Sequence, residues 1–174
     1  GFTLSMIETA LELSGGNVDA ATIKSILELG HSQLSHPVDL LPHALETIVM
    51  LEGRYSLLLI TKGDLYDQER KIAESGLGNY FDAIEVVSEK TPETYQKLFA
   101  RHGTGAATSA MVGNSLKSDV LPAIAAGGWG VYVPHDLTWA YEHAEAPVDE
   151  PRFRQISHLG ELPGLLEWLE AVQS

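Results

Sequence analysis

Residues 55–64 read YSLLLITKGD, and this stretch decides the fold class. Residues 55–60 form a short and nearly continuous apolar run, which is typical of a strand buried on both faces of a parallel sheet. Polar residues follow at once, and a helical pattern starts near Asp67 and ends before Gly76. A buried strand that leads directly into a helix indicates a parallel α/β architecture.

The same alternation recurs further along the chain. Further strands are predicted over 83–87, 108–112 and 129–133, with helices over 92–100 and 116–126 between them. A looser acidic stretch comes next, and a short strand near Ile156 and a helix over 162–172 end the chain. The pattern predicts an α/β fold with a Rossmann-like open parallel sheet, flanking helices and right-handed crossovers.

A pair of helical patterns precedes this region, over residues 4–13 and 20–34, separated by the turn residues 14–17. This arrangement predicts a helical hairpin. Pro42 suits the first turn of another helix, predicted over 44–51. We therefore assign residues 1–38 to a small helical cap and residues 39–174 to the parallel α/β core.

Charge and cysteine content exclude several classes of function. The 24 acidic residues outnumber the 11 basic ones, so the net charge is −13. Such a chain repels nucleic acid and anionic membranes, and we expect neither as a partner. The absence of cysteine excludes disulfides, thiolate metal sites and a cysteine nucleophile. No secretion signal or membrane-spanning run is present in the sequence, and we expect a cytoplasmic protein.

The residues that follow each predicted strand are the candidates for a binding site, because ligands bind at the carboxyl ends of parallel strands. The first strand ends in Thr61-Lys62-Gly63, and Lys90 follows the second. After the third strand come Asn114 and Asp119. A hydroxyl and close backbone N–H groups suit a phosphate, an ammonium suits a dianion, and amide and carboxylate oxygens suit Mg²⁺.

Each of these residues also has a purely structural interpretation. Thr61 would simply cap the next helix, and Lys90 would be an exposed surface lysine. Asn114 would lie in a tight turn, with Asp119 near the start of a helix. Taken singly, the four residues therefore leave both interpretations open.

Taken together and in this order, the motifs resemble the haloacid dehalogenase superfamily, whose members are mostly Mg²⁺-dependent phosphohydrolases. The resemblance covers residues 41–135, and the helical hairpin resembles that family's small cap. It implies that Thr61, Lys62 and Gly63 bind the transferring phosphoryl group and that Lys90 steadies the nucleophile and the phosphate. Asn114 and Asp119 match the metal-binding motif. The resemblance further implies a small phosphomonoester as substrate and an aspartyl-phosphate intermediate.

The sequence departs from the family pattern in two places. No Asp-x-Asp motif, which carries the nucleophile in the family, occurs in the chain, and Asn114 replaces a usual carboxylate. Because the chain begins without Met and inside a helical pattern, we expect upstream residues, including a central strand between those ending at Thr61 and Gly113. We expect no hydrogen-bonded ladder between residues 57–60 and 109–112.

Two other functions stay open at this point. One is a non-catalytic phosphate-binding or scaffolding relative, and the other is a 2-haloacid dehalogenase that works without a metal. We also expect Lys90→Ala to abolish turnover and leave the fold intact, because a strand-terminal lysine contributes no core volume. The sequence does not indicate the oligomeric state.

Overall fold

The computed structural model describes residues 2–34, 37–135 and 144–173. Its helices are α1 (Phe2–Leu13), α2 (Ala20–Leu34), α3 (Ala44–Leu51), α4 (Leu65–Ser75), α5 (Pro92–His102), α6 (Leu121–Ala125) and α7 (Leu162–Gln173). Its strands are β1 (Leu58–Lys62), β2 (Ala83–Val87), β3 (Ala110–Gly113), β4 (Trp129–Tyr132) and β5 (Phe153–Gln155). The predicted cap, residues 1–38, and the acidic stretch predicted after residue 133 both include residues outside those described.

The strands form two parallel sheets. β1 pairs with β2 in register Leu58 to Ala83, and β4 lies between β3 and β5 in the second sheet. The prediction of a parallel α/β fold with flanking helices is confirmed, and the described strands form two separate ladders. Within the described residues no ladder joins β1 to β3, as expected from the sequence.

β1 is less buried than its apolar sequence predicts. Residues 58–61 are only half-buried and Lys62 is exposed. The expectation of a strand buried on both faces is therefore wrong. The physical reason is that one edge of β1 has no partner strand among the described residues, so solvent reaches the backbone from that side.

Local sequence signals explain where α4 and α5 begin and end. The Asp64 side chain accepts a hydrogen bond from Asp67 N, and the Thr91 side chain accepts one from Thr94 N. Both are N-caps, which satisfy backbone donors at a helix start. Gly76 ends α4 in the left-handed conformation. Because Asp64 caps α4, the structural interpretation of Thr61 as a helix cap is wrong.

The helix predicted over residues 116–126 is in fact two elements. Leu116–Val120 forms a π-helical turn, and α6 follows it. Proline at position 122 has no N–H to donate to the carbonyl of Ser118, four residues earlier. That carbonyl accepts a hydrogen bond from the Tyr95 hydroxyl at 3.2 Å instead. The irregular turn thus places residues 115–119 against α5.

Helix α5 packs against strands of both sheets. Tyr95 and Phe99 on α5 pack with Ala123 and Ala126, and this buried cluster contacts Ile60 of β1 and Met111 of β3. A second cluster of buried side chains packs α3 and α7 against β4 and the residues that follow β5; it contains Leu51, Val131, Val133, Ile156 and Leu162. The α5 cluster therefore packs against both β1 and β3.

α1 and α2 pack against each other as the predicted hairpin. Gly30 on α2 is buried, and a Cβ there would collide with the side chain of Thr3. The division of the chain at residue 38 stays a prediction. Across residues 2–34, 37–135 and 144–173, no helix is both long and apolar enough to span a membrane.

Candidate functional site

The turn that leaves β1 carries the first part of the site. Thr61 is the fourth residue of β1, and its hydroxyl donates a hydrogen bond to Gln68 Oε1 at 2.6 Å. Gly63 has a φ of 148°, a conformation that side chains rarely adopt. A Cβ on Gly63 would lie 2.9 Å from Gln68 Nε2. Another residue at position 63 would therefore be strained in its backbone and would displace the Gln68 amide.

A buried ion pair forms the second part. Lys90 Nζ lies 2.7 Å from Asp119 Oδ1, and the two side chains are only 13% and 6% exposed. The other carboxylate oxygen, Oδ2, accepts the backbone N–H of Ser115 at 3.1 Å. Lys90 is therefore not an exposed surface lysine, whereas Asp119 does lie in the first turn of the π-helical segment, as its structural interpretation expects. The structural interpretation is wrong for Lys90, and for Asp119 the ion pair adds to it.

The burial of the pair also changes the expected effect of Lys90→Ala. A buried carboxylate that loses its cation is strongly destabilising, because it stays out of water without a counter-charge. The expectation of an intact fold is therefore replaced by a loss of stability as well as of function.

Backbone geometry around Asp119 fixes the position of its carboxylate. A Cβ on Gly113, the last residue of β3, would overlap the Asp119 carboxylate. Asn114, the next residue, is exposed. Ser115 caps the π-helical turn by accepting a hydrogen bond from Ser118 N. π-helical turns of this kind occur frequently at functional sites.

Tyr95 supports the turn from behind. It is fully buried, its hydroxyl bonds the Ser118 carbonyl, and burial together with the Asp119 charge raises the pKa of its phenol well above the usual value. Tyr95 is therefore neutral at physiological pH and stabilises the π-helical turn as a hydrogen-bond donor.

Two ion pairs connect the carboxyl ends of three strands. Lys62 at the end of β1 pairs with Glu89 at 3.4 Å, in the loop after β2. Lys90 in the same loop pairs with Asp119 after β3. The predicted convergence of the strand ends is thus confirmed for Lys90 and Asp119, and the Lys62 pair brings the end of β1 to the same edge.

Sequence reasoning assigned no role to three residues that shape this edge. Gln68, Tyr95 and Ser115 each contact a predicted site residue or the turn that carries it. Ser115 had a detectable signal, since serine before a helical segment is a common cap. Gln68 and Tyr95 had none, because their contacts depend on how α4 and α5 pack on the strands.

A groove lies away from these residues. It has a volume of about 480 Å³ and lies between α4 and the outer strand β2. Its lining residues are Leu65, Glu69, Ile72, Ala73, Gly76, Gly78, Asn79, Ile84 and Val86. None of the predicted site residues is among them, so chemistry and cavity volume indicate different places, and we assign the site by its chemistry.

The donor set at the edge fits a hard cation. Asn114 and Asp119 would supply an amide oxygen and a carboxylate oxygen, and Mg²⁺ is commonly held by one or two carboxylates together with waters and substrate phosphates. Among the described residues there is no group of three or more acidic or histidine ligands. The two side chains would therefore form part of a coordination shell.

One solved structure shows the family. The chain is 43% identical to a haloacid dehalogenase-like family hydrolase from Xanthomonas campestris, with a TM-score of 0.86, over 97% of this chain and 72% of that one. This chain belongs to the haloacid dehalogenase-like hydrolase family. Comparison with protein-family models and with curated proteins gives no match.

Other solved members of the family are similar to this chain at lower identity. A haloacid dehalogenase-type (HAD) phosphatase from Thermococcus onnurineus is 25% identical, with a TM-score of 0.58 over 90% of this chain and 68% of that one. The HAD protein YfnB from Bacillus subtilis, solved with magnesium bound, is 18% identical, with a TM-score of 0.62 over 95% of this chain and 83% of that one. Dehalogenases are also among the similar structures. Membership of this family indicates a hydrolase, and the similar solved structures include both phosphatases and dehalogenases.

Proposed function

We propose that this HAD-family protein is a Mg²⁺-dependent phosphatase that acts on small phosphomonoesters. The observation that carries the proposal is the Lys90 ammonium, held by Asp119 in a largely buried position at the carboxyl ends of the strands. A fixed cation at a partly dry strand edge suits the charge that develops on a transferring phosphoryl group. The resemblance to a HAD phosphatase supports the same choice.

The residues of the chain would act as follows. The turn from Thr61 to Gly63 binds phosphoryl oxygens through its polar groups and close backbone approach. Lys90 neutralises negative charge on the phosphoryl group, and Asp119 holds Lys90 in place. Because Lys90 is fixed before substrate arrives, little reorganisation is needed during the reaction.

Magnesium would be held in part by Asn114 and Asp119. When bound, Mg²⁺ neutralises phosphoryl charge as a Lewis acid. The nucleophile of a covalent mechanism is not assigned to any residue, because the chain contains no Asp-x-Asp motif.

Dehalogenation of 2-haloacids is the second candidate. It is favoured by Asn114, a neutral group where a carboxylate would strengthen metal binding. In this reaction Lys90 would pair with the carboxylate of the substrate. Both candidates therefore require an anion at Lys90, but only one requires phosphate chemistry.

A binding and a turnover measurement together test the proposal. Inorganic phosphate is titrated into the chain and its Lys90→Met variant by calorimetry, with Lys97→Met as a control for loss of an exposed lysine. We expect Lys90→Met to weaken phosphate binding about 10-fold or more, because charge-assisted hydrogen bonds contribute about 1.5–3 kcal/mol. Circular dichroism establishes that each variant is folded.

Turnover separates the two reactions. Phosphate release from a panel of small phosphomonoesters, with and without Mg²⁺, is compared with halide release from 2-haloacids. Halide release without phosphate release, or a chain that binds no phosphate, would overturn the phosphatase proposal.

A further inference from the structure

Two bonds join the segment that carries Lys90 to the segment that carries Asp119. The first is the ion pair between Lys90 Nζ and Asp119 Oδ1, at 2.7 Å. The second runs from the Tyr95 hydroxyl to the carbonyl oxygen of Ser118, at 3.2 Å. Lys90 directly precedes the N-cap of α5, and Tyr95 is the fourth residue of that helix. Ser118 and Asp119 are consecutive residues of the π-helical turn. Both bonds therefore connect the start of α5 to the same turn.

Tyr95 is a fixed donor in this arrangement. Its side chain is fully buried and packs with Phe99, Ala123 and Ala126. The centroid of its ring lies 5.7 Å from that of Phe99. Side chains in a close-packed core have little freedom to move. Burial also raises the pKa of the phenol, so the hydroxyl keeps its proton and donates it.

The turn that Tyr95 holds is irregular. The Ser115 carbonyl accepts hydrogen bonds from the backbone N–H groups four and five residues later, at 3.0 and 3.1 Å. Pro122 has no N–H with which to bond the Ser118 carbonyl in the regular α-helical pattern. π-helical turns are rare in proteins, so this one needs contacts from outside the turn. The Tyr95 hydroxyl supplies such a contact one residue before Asp119.

The position of Asp119 determines where the Lys90 ammonium lies. One carboxylate oxygen pairs with Lys90, and the other accepts the Ser115 N–H at 3.1 Å. A Cβ on Gly113 would overlap the carboxylate, so Asp119 lies directly against the end of β3. A shift of the π-helical turn would break or lengthen one of the two carboxylate bonds. Lys90 would then lose the orientation that it has before an anion arrives.

We propose that Tyr95 is a positioning residue of the site: through the Ser118 carbonyl it fixes Asp119, and so holds the Lys90 ammonium in the orientation that binds the anionic group of the substrate. The inference rests on the proposed function. Tyr95 acts without touching the substrate, because its effect passes through the ion pair. Loss of its hydroxyl should therefore weaken anion binding more than an equal loss of stability elsewhere in the protein does.

Two matched variants test this role. Tyr95→Phe removes the hydroxyl and keeps the ring. Thr47→Val is the control, because Thr47 is 3% exposed and its hydroxyl donates to the Leu159 carbonyl at 3.1 Å, outside the site. Both substitutions thus remove a buried hydroxyl that donates to a backbone carbonyl. Urea unfolding should show similar losses of stability in the two variants, since the hydrogen bonds that they lose are of the same kind.

Titration with inorganic phosphate, followed by calorimetry, measures the effect on anion binding. Tyr95→Phe should weaken phosphate binding about 5-fold, which corresponds to about 1 kcal/mol, the net contribution of one hydrogen bond. Thr47→Val should leave the affinity unchanged. A merely structural role for Tyr95 would lower stability in both variants and leave both affinities alike.

The backbone amide of Ser115 gives a second readout that needs no phosphate. This N–H donates to Asp119 Oδ2, so its hydrogen-exchange rate, measured by nuclear magnetic resonance, reports release of the carboxylate. In Tyr95→Phe the amide should exchange about 5-fold faster than in Thr47→Val.

The outcomes separate this inference from the proposed function. If the unchanged protein binds no phosphate, the proposed function fails, and the binding role of Tyr95 fails with it. If phosphate binds and Lys90→Met weakens binding, but Tyr95→Phe binds phosphate as tightly as Thr47→Val, the positioning role is overturned and the proposed function stands. Equal exchange rates of the Ser115 amide in Tyr95→Phe and Thr47→Val would also overturn the positioning role.

Discussion

Removing the Lys90 ammonium should destabilise the protein far more than removing an ordinary lysine. In Lys90→Met the Asp119 carboxylate, 6% exposed, keeps the Ser115 N–H but loses its cation. Breaking one half of a buried ion pair costs about 3–5 kcal/mol, because the remaining charge is desolvated and unpaired. That is a large part of a typical domain stability of about 5–15 kcal/mol.

Urea unfolding at pH 7, followed by circular dichroism, measures this loss. Lys97→Met serves as the matched control, and we expect it to change the free energy of unfolding by less than about 0.5 kcal/mol, since it lies on an exposed helix face.

The double variant Lys90→Met with Asp119→Asn separates the ion pair from packing. Asparagine at position 119 still accepts the Ser115 N–H but carries no charge, so the double variant should recover much of the loss in Lys90→Met. A coupling energy between the two substitutions of more than about 1 kcal/mol is expected for residues in direct contact. A loss below about 1 kcal/mol in Lys90→Met, equal to the control, would refute the reasoning from burial.

Three further measurements test other parts of the structure. Burial raises the pKa of the Tyr95 phenol, so the unfolded state should lose the phenol proton at a lower pH than the folded state. The free energy of unfolding should therefore fall by about 1.4 kcal/mol per pH unit above about pH 10. In Tyr95→Phe this slope, read from urea midpoints between pH 9 and 11, should be smaller, and an equal slope would contradict the assignment. The hydrogen bond from His102 lowers the pKa of the Glu85 carboxyl below its usual value of 4.5. The stability that this carboxylate contributes is therefore present above the usual pKa and is lost as the pH falls through the lowered pKa. Glu85→Gln should flatten the dependence of the free energy of unfolding on pH in this acidic range, which urea unfolding at a series of acidic pH values would measure. Asn114→Asp should tighten Mg²⁺ binding in calorimetry, because a carboxylate replaces a neutral ligand; unchanged or weaker binding would mean that Asn114 is not a ligand.

Local signals in the sequence predicted most elements of the fold. β2 occupies residues 83–87 as its apolar run indicates, and α5 begins at Pro92 behind the Thr91 cap. Gly76 ends α4 where a left-handed residue is needed. These features depend on neighbours within a few residues, so a reading of the chain alone identifies them.

Features that depend on distant residues were predicted less well. β1 extends to Lys62, so Thr61 lies inside the strand instead of after it. The break between the π-helical turn and α6 depends on Pro122 and on a hydrogen bond from α5. The pairing of Lys90 with Asp119 was anticipated only as proximity at one edge, and its burial was not, because burial depends on how three loops pack together.

The open edges of β1 and β3 connect the fold to the site. Both strands pack on the α5 cluster, through Ile60 and Met111, and in the part of the chain that the structure describes neither strand has a partner on its second edge. Unpaired backbone groups cost about 1–3 kcal/mol each when kept from water, but both strands are only half-buried, so solvent satisfies these groups here. A parallel strand placed between the two edges would pair both of them and bury the apolar side chains that are now half-exposed. Its carboxyl end would then lie at the edge where Lys90 and the turn after β1 present their polar groups. We therefore expect the central strand predicted from the sequence to pair with β1 and β3 and to bring its carboxyl end toward Lys90.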